Sequence, residues 1–406
     1  MLTETTFGSV RMEPTSLTSA EHQRSAAPLG EGRRIRLVFL IRSLAIGGAE
    51  RQLVDLAKGL DETIFDVTVL CFYGGGEFTQ ELEDAGVTVV SLNKKGRWDI
   101  FSFVGQLTSI LRKIKPDLLH SYMTGPNLVA TCLKPALPNT KLIWGVEASY
   151  IDLSRYGWLE QITSRAERLL SKVPDLVIFN SFAGLDYHLS RGFAPSASKV
   201  IHNGIDMTRF KPDLDARGRT RAAWQIPKES FVIGKVGRLD PIKDHPTFLK
   251  AASIAVRDRP DVRFVCVGGG AEEYSRELRD LATQLGLADK VNWPGFMRDM
   301  TGAYNALDAC CSSSYGEGTS NAIAEAMACG VPCVVTDVGD SSLIVGDTGV
   351  VVPPKDPEAL AKGWARLIER MHEEPHLGLA ARERIKERLS LDALVQNTSR
   401  ELMKLS

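Results

Sequence analysis

Two carboxylates, Glu317 and Glu325, bracket the segment Glu317-Gly318-Thr319-Ser320-Asn321-Ala322-Ile323-Ala324-Glu325. Gly316 and Gly318 let the backbone turn tightly around Glu317, and Thr319, Ser320 and Asn321 are residues that favour helix N-caps. A helix is therefore expected to begin near Ser320, with Glu317 before it and Glu325 about one turn inside. The first turn of such a helix has unpaired N–H groups and the positive end of the dipole, a setting that suits an anion such as a diphosphate. Each carboxylate is an acceptor with two oxygens and can hold a vicinal diol, one on a hexose and one on a ribose. An acidic pair at this spacing is also common without any function, so the weight falls on its neighbours.

Upstream, Phe231-Val232-Ile233-Gly234-Lys235-Val236-Gly237-Arg238-Leu239 reads as an apolar strand running into a glycine turn that carries Arg238, with Lys243 five residues on. A planar guanidinium and a compact ammonium at a strand's exit can neutralise the phosphate oxygens of a departing nucleotide. As a pair they could equally be solvated surface cations. Lys199-Val200-Ile201-His202-Asn203-Gly204-Ile205-Asp206 follows a further strand and ends in a turn, which taken alone is a hairpin or linker.

In this order, and joined by the glycine turn Ile46-Gly47-Gly48-Ala49-Glu50 and by Ala326-Met327-Ala328-Cys329-Gly330-Val331-Pro332, these stretches closely resemble the retaining glycosyltransferases of family 4, whose two-domain fold is called GT-B. The resemblance covers most of the chain. It implies that Arg238 and Lys243 bind the donor diphosphate, that Glu317 faces hydroxyls of the transferred sugar, and that Glu325 holds the nucleotide ribose. It also implies that Gly47 and Gly48 bring backbone close to phosphate or sugar from across a cleft. By the same resemblance, Gly318, Thr319, Ser320 and Asn321 would complete the donor site, and Gly295-Phe296-Met297-Arg298 would meet the base through its main chain, around Met297. The implied activity is hexosyl transfer from a nucleoside-diphosphate sugar to a glycan, polysaccharide or lipid-linked saccharide, with retention and with no metal or separate cofactor, the nucleotide sugar being a substrate.

The 406 residues are 44% hydrophobic and 24% charged, ordinary for a globular chain of more than one domain. A net charge of -1 supplies no basic field to hold nucleic acid. Lys94, Lys95 and Arg97 beside Trp98, and Arg112, Lys113 and Lys115 on an amphipathic stretch, read as solvated faces, with weak docking to an anionic membrane as the lesser reading. Seven cysteines in mostly apolar surroundings, without paired metal-ligand spacing, read as reduced, buried thiols. Residues 1 to 33 read as a loose tail without a signal-like apolar run, and no stretch is long and apolar enough to span a bilayer, so a cytoplasmic protein, at most peripheral at the membrane, is expected.

The elements that must position these residues alternate. Strands are expected at 36–41, 66–72, 87–92, 117–122, 141–146, 176–180 and 199–202, and again at 231–236, 262–267, 290–293, 309–312, 331–336 and 349–352, with helix-period segments between many of them. That pattern predicts an α/β chain of two doubly wound parallel-sheet halves. The boundaries are a first domain over 34–206, a nucleotide-sugar domain over 207–388 opening with a linker to about Pro227, and a terminal helix over 389–406 that, by the resemblance, crosses back onto the first domain. Asp213-Leu214-Asp215, an Asp-x-Asp metal pattern in other glycosyltransferases, sits in that linker and reads as solvated loop. Gly74-Gly75-Gly76 and Gly268-Gly269-Gly270 follow strands without completing a dinucleotide fingerprint and read as turns.

The acceptor half departs from the family. Where many members carry two histidines one residue apart, this chain has His120-Ser121-Tyr122, and Trp144-Gly145-Val146-Glu147 replaces a strand that often carries another. His120 is the candidate catalytic residue of this half, yet it reads equally as a hydrogen-bonded histidine at a strand end, and Tyr122 or Glu147 could line the acceptor site. A nucleotide-sugar isomerase of related fold and a donor-binding subunit without turnover therefore remain as alternatives.

Overall fold

A computed structural model describes residues 33–96, 99–147 and 158–406. The expected tail, Arg97 and Trp98 lie outside the described residues. Seven parallel strands form the first sheet: β1 (Ile35–Ile41), β2 (Phe65–Cys71), β3 (Thr88–Ser91), β4 (Leu118–Tyr122), β5 (Lys141–Val146), β6 (Leu176–Phe179) and β7 (Ser198–Val200), in the order β3-β2-β1-β4-β5-β6-β7. Six more form the second: β8 (Val232–Val236), β9 (Arg263–Val267), β10 (Val291–Gly295), β11 (Ala309–Ser312), β12 (Cys333–Thr336) and β13 (Val350–Val352), in the order β10-β9-β8-β11-β12-β13.

Both sheets are covered on two faces, which explains why their strands are almost continuously apolar. Along β1, Leu37, Phe39 and Ile41 enter one core while Val38 and Leu40 enter the other, the two-residue alternation of a pleated strand. β8 does the same, with Val232 in one core of the second lobe and Ile233 in the other. In each sheet the order reverses beside the first strand, between β1 and β4 and between β8 and β11, so a crevice opens beyond the carboxyl ends there.

The chain crosses between lobes twice, and the crossings are tied together. Ile205 N donates to Leu389 O at 2.8 Å, and Leu391 N donates to Ile205 O at 2.9 Å. Beyond them the helix Leu391–Met403 returns to the first lobe and places Leu394 and Leu402 in its core beside Leu53 and Leu56.

Three local expectations are corrected. The linker contains a helix, Leu214–Ala223, with Gly218 inside it. Asp213 is its N-cap, accepting from Ala216 N at 2.8 Å, rather than a solvated loop residue. Of the seven cysteines, all free, six are buried, but Cys132 is exposed on the helix Thr124–Leu133. No helix of the described residues is long and apolar enough to cross a membrane.

Candidate functional site

The helix predicted from the carboxylate segment runs over Asn321–Ala328, with Ser320 as its N-cap in extended backbone. Ser320 is buried, and its hydroxyl makes no capping bond, so the first-turn amides have no side-chain cap. Facing them across the crevice is a second helix start. Gly47 caps the helix Gly48–Gly59, and a Cβ on Gly48 would stand 3.7 Å from Asn321 Nδ2. Two positive helix ends thus converge where the lobes meet.

Glu317 precedes this helix and is already organised. Its Oε1 accepts from Lys243 Nζ at 2.6 Å and from Ser314 Oγ at 2.7 Å, with the two charged side chains only 23% and 9% exposed for Lys243 and Glu317. Oε2 has no hydrogen bond among the described residues. Arg238 leaves β8 with its side chain 78% exposed, 3.9 Å from Asp240, beside a cavity of about 460 Å³ bounded by Gly270 and Tyr274. Glu325 lies on the helix itself, half-buried. Burial pushes its carboxyl up to about 7, against the hydrogen bond from Tyr304 and the charge of Arg209. Tyr304 Oη donates to Glu325 Oε2 at 2.7 Å. Met297 is half-buried against the second lobe's core, while its neighbour Phe296 is exposed over Gly269.

Thr319 and Asn321, expected at the donor, also bond across to the first lobe through their side chains. Thr319 Oγ1 donates to Asn180 O, and Asn321 Oδ1 accepts from Asn203 Nδ2 at 2.9 Å, so both reach across to the first lobe. Their backbone amides and Asn321 Nδ2, which stands 3.7 Å from where a Cβ on Gly48 would be, remain beside the crevice.

On the first lobe, His120 is neither hydrogen-bonded nor open. Both ring nitrogens are buried without a partner among the described residues, the ring packs against Phe39 and Tyr122, and burial pushes its pKa down to about 3. A neutral ring enclosed this way is poorly placed to exchange a proton with a ligand in the crevice, and the strand-end hydrogen bond is absent as well. Glu147 differs. It accepts from Asn180 Nδ2 at 3.0 Å, and burial, aided by the charge of Glu50, raises it to about 7.

Residues 46–209 match the family described as Glycosyltransferase Family 4, and residues 230–370 match Glycosyl transferases group 1. The chain belongs to the group 1 and family 4 glycosyltransferases. A D-inositol 3-phosphate glycosyltransferase of Saccharomonospora viridis is 34% identical over 216 residues, 50% of either chain. A protein of the same name from Mycobacteroides abscessus is 33% identical over 43% of this chain and 40% of its own. The chain thus spans about half the length of the curated relatives it matches, or less. Among solved structures, Anabaena HepE in complex with UDP-glucose superposes with a TM-score of 0.80 at 23% identity, covering 91% of this chain and 100% of that one. A glycosyltransferase of Rickettsia africae does so with a TM-score of 0.76 at 18% identity, covering 92% and 99%. Both have the GT-B fold expected for the family, and the two parallel sheets described above are its two halves.

Several residues around this crevice escaped the sequence reading. Tyr304 lies in a short helix with no local signature. Ser314 and Asp340 follow β11 and β12 at their carboxyl ends, and that position beyond a parallel strand was the available signal. No group of three His, Cys, Asp or Glu that could hold a metal ion occurs among the described residues.

Proposed function

We propose that the chain is a retaining, metal-independent glycosyltransferase that moves a hexose from a nucleoside-diphosphate sugar to a hydroxyl of a glycan, polysaccharide or lipid-linked saccharide. The observation that carries this reading is the convergence of two helix N-termini on a crevice where Lys243 holds Glu317 and Arg238 is largely exposed, with only a long contact to Asp240. Diphosphate oxygens lie against Arg238, Lys243 and the amides at the start of Asn321–Ala328, where donors fixed in place meet growing negative charge. Glu317 Oε2 accepts from a sugar hydroxyl, and Glu325 accepts from the ribose. The bond from the sugar's anomeric carbon to the phosphate oxygen breaks, its electron pair leaving with the diphosphate. The acceptor oxygen bonds to the same face of that carbon, and its proton passes to the departing phosphate oxygen. His120 is given no proton to carry.

Glu147 and Glu50 set an acidic tone on the acceptor side, which suits a neutral, hydroxyl-rich acceptor. The named relatives act on D-inositol 3-phosphate, and phosphorylated polyols belong in the same trial. UDP-glucose heads the donor trial because the Anabaena protein was solved with it.

A panel of nucleotide sugars, followed by release of free nucleoside diphosphate, tests the reading. Slow release from one donor, unchanged by chelator, is expected. Conversion of the sugar without loss of nucleotide would make the chain an isomerase, and binding without any release would make it a donor-binding subunit.

A further inference from the structure

Asp340 belongs to the second lobe, on the turn between β12 and the helix Ser341–Val345, yet its carboxylate is bonded to the first. Oδ2 accepts from Phe182 N at 2.8 Å and Oδ1 from Ala183 N at 2.9 Å, and His202 Nε2 lies 2.8 Å from Oδ2. Phe182 and Ala183 open the helix Phe182–Ser190, whose own N-cap, Ser181, serves Gly184 N at 2.9 Å. The two amides that Ser181 leaves over are therefore capped from the other lobe. The Asp340 side chain is 4% exposed. Burial alone would raise its pKa, but the bonds from His202, Ala183 and Phe182 outweigh that and hold it below the ordinary aspartate value, so it stays ionised.

The backbone of the same turn lies on the loop that carries Glu317. Asp340 N donates to Gly318 O at 3.1 Å. Gly339, at φ +58°, comes so close that a Cβ there would stand 2.5 Å from Glu317 O and 2.7 Å from Gly318 O. Thr319 and Asn321, two and four residues beyond Glu317, meet the same region of the first lobe through Asn180 and Asn203.

We propose that Asp340 is a positioning residue that couples lobe closure to the donor site: by capping Phe182–Ser190 from the opposite lobe it holds the Glu317–Asn321 loop where Glu317 meets the sugar. This rests on the donor assignment made above. When the lobes part, the carboxylate loses three partners together, and the loop that Asp340 N and Gly339 back loses the bonds of Thr319 and Asn321 that tether it to the first lobe beyond Glu317. Closure and assembly of the sugar-binding group are then one event, so the donor is held for transfer only when the acceptor lobe is in place.

The test uses the full chain with Cys132→Ser, which removes the exposed thiol, and spin labels at Lys113→Cys and Lys362→Cys, one exposed position on each lobe. Distances between the labels are read by pulsed electron paramagnetic resonance without ligand and with UDP-glucose. Asp340→Ala is expected to broaden the ligand-free distribution towards longer distances. Asp340→Asn keeps an acceptor oxygen but no charge, and should fall between. In the same variants the kcat for UDP release should drop about 10- to 100-fold, the order carried by one or two hydrogen bonds to a charged group, while the donor KM changes less than about threefold. An unchanged distribution in Asp340→Ala overturns the proposal, whatever happens to kcat. If wild type turns over no UDP-glucose, the donor assignment fails for that probe, and the ligand-free distances still decide the role of Asp340.

Discussion

Under the proposed function Glu325 accepts from the ribose hydroxyls and must be ionised to do so, yet burial holds its proton up to about pH 7. The unfolded side chain releases that proton near its ordinary value of 4.5. Between those two values the folded chain binds more protons than the unfolded one, so stability falls as pH rises from 4.5 to 7 and levels off above. A shift of this size corresponds to about 3 kcal/mol. Glu147 and Glu167, also raised to about 7 by burial, add slopes of the same sign. Urea unfolding of the ligand-free protein should therefore show lower stability at pH 7.5 than at pH 5.5, with a flatter profile in Glu325→Gln. Donor binding runs the other way. A nucleotide sugar has no phosphate that titrates in this range, so its affinity should rise about tenfold from pH 6 to pH 8 as Glu325 ionises. Calorimetry on Glu325→Gln should show weak binding with no such rise.

Among the elements, Leu214–Ala223 is held to the second lobe by carbonyls of Ala306, Leu307 and Ser230 and by one counter-charge, the Asp308 carboxylate. Asp308 accepts from Arg217 Nη2 at 2.6 Å, from Arg221 Nη2 at 2.6 Å and from Val232 N at 2.7 Å, joining that helix to β8 and to the start of β11. The Arg221 side chain is 9% exposed, so Asp308→Ala leaves an enclosed cation without its counter-charge. A loss of about 3 to 5 kcal/mol is expected in urea unfolding. This helix was also the element least visible in the sequence. Most strands announce themselves because they are buried on two faces and must be apolar along their length, the short edge strands β3 and β7 excepted, and the helix Asn321–Ala328 because its cap residues sit beside glycines. Leu214–Ala223 has few apolar positions and an internal glycine, and its burial depends on arginines whose partner lies about ninety residues away. Asp340 was hidden for the same reason, since its side-chain partners are more than a hundred residues distant, on the other lobe.

At the scale of the whole molecule, the two lobes are joined at the paired crossing where Ile205 meets Leu389 and Leu391, and Gly204 lies at its tightest point. Gln52 fastens the same spot to the first lobe, donating to Gly204 O at 3.0 Å and accepting from Gly204 N at 2.7 Å. The side of Gly204 where a side chain would point is filled by the terminal helix. A Cβ there would stand 2.8 Å from Leu391 Cα and 2.8 Å from Leu394 Cβ. One of those contacts is backbone, so no rotamer change can relieve it, and the helix must move away from the core that Leu394 and Leu402 complete. Gly204→Ala should therefore cost about 1 to 3 kcal/mol, the range for overpacking, and the cost should register in the first lobe although the displaced helix lies at the far end of the sequence. Hydrogen exchange distinguishes the outcomes. Loss of protection in both Gly48–Gly59 and Leu391–Met403 supports the account, whereas loss confined to the second lobe would mean that the terminal helix does not support the first.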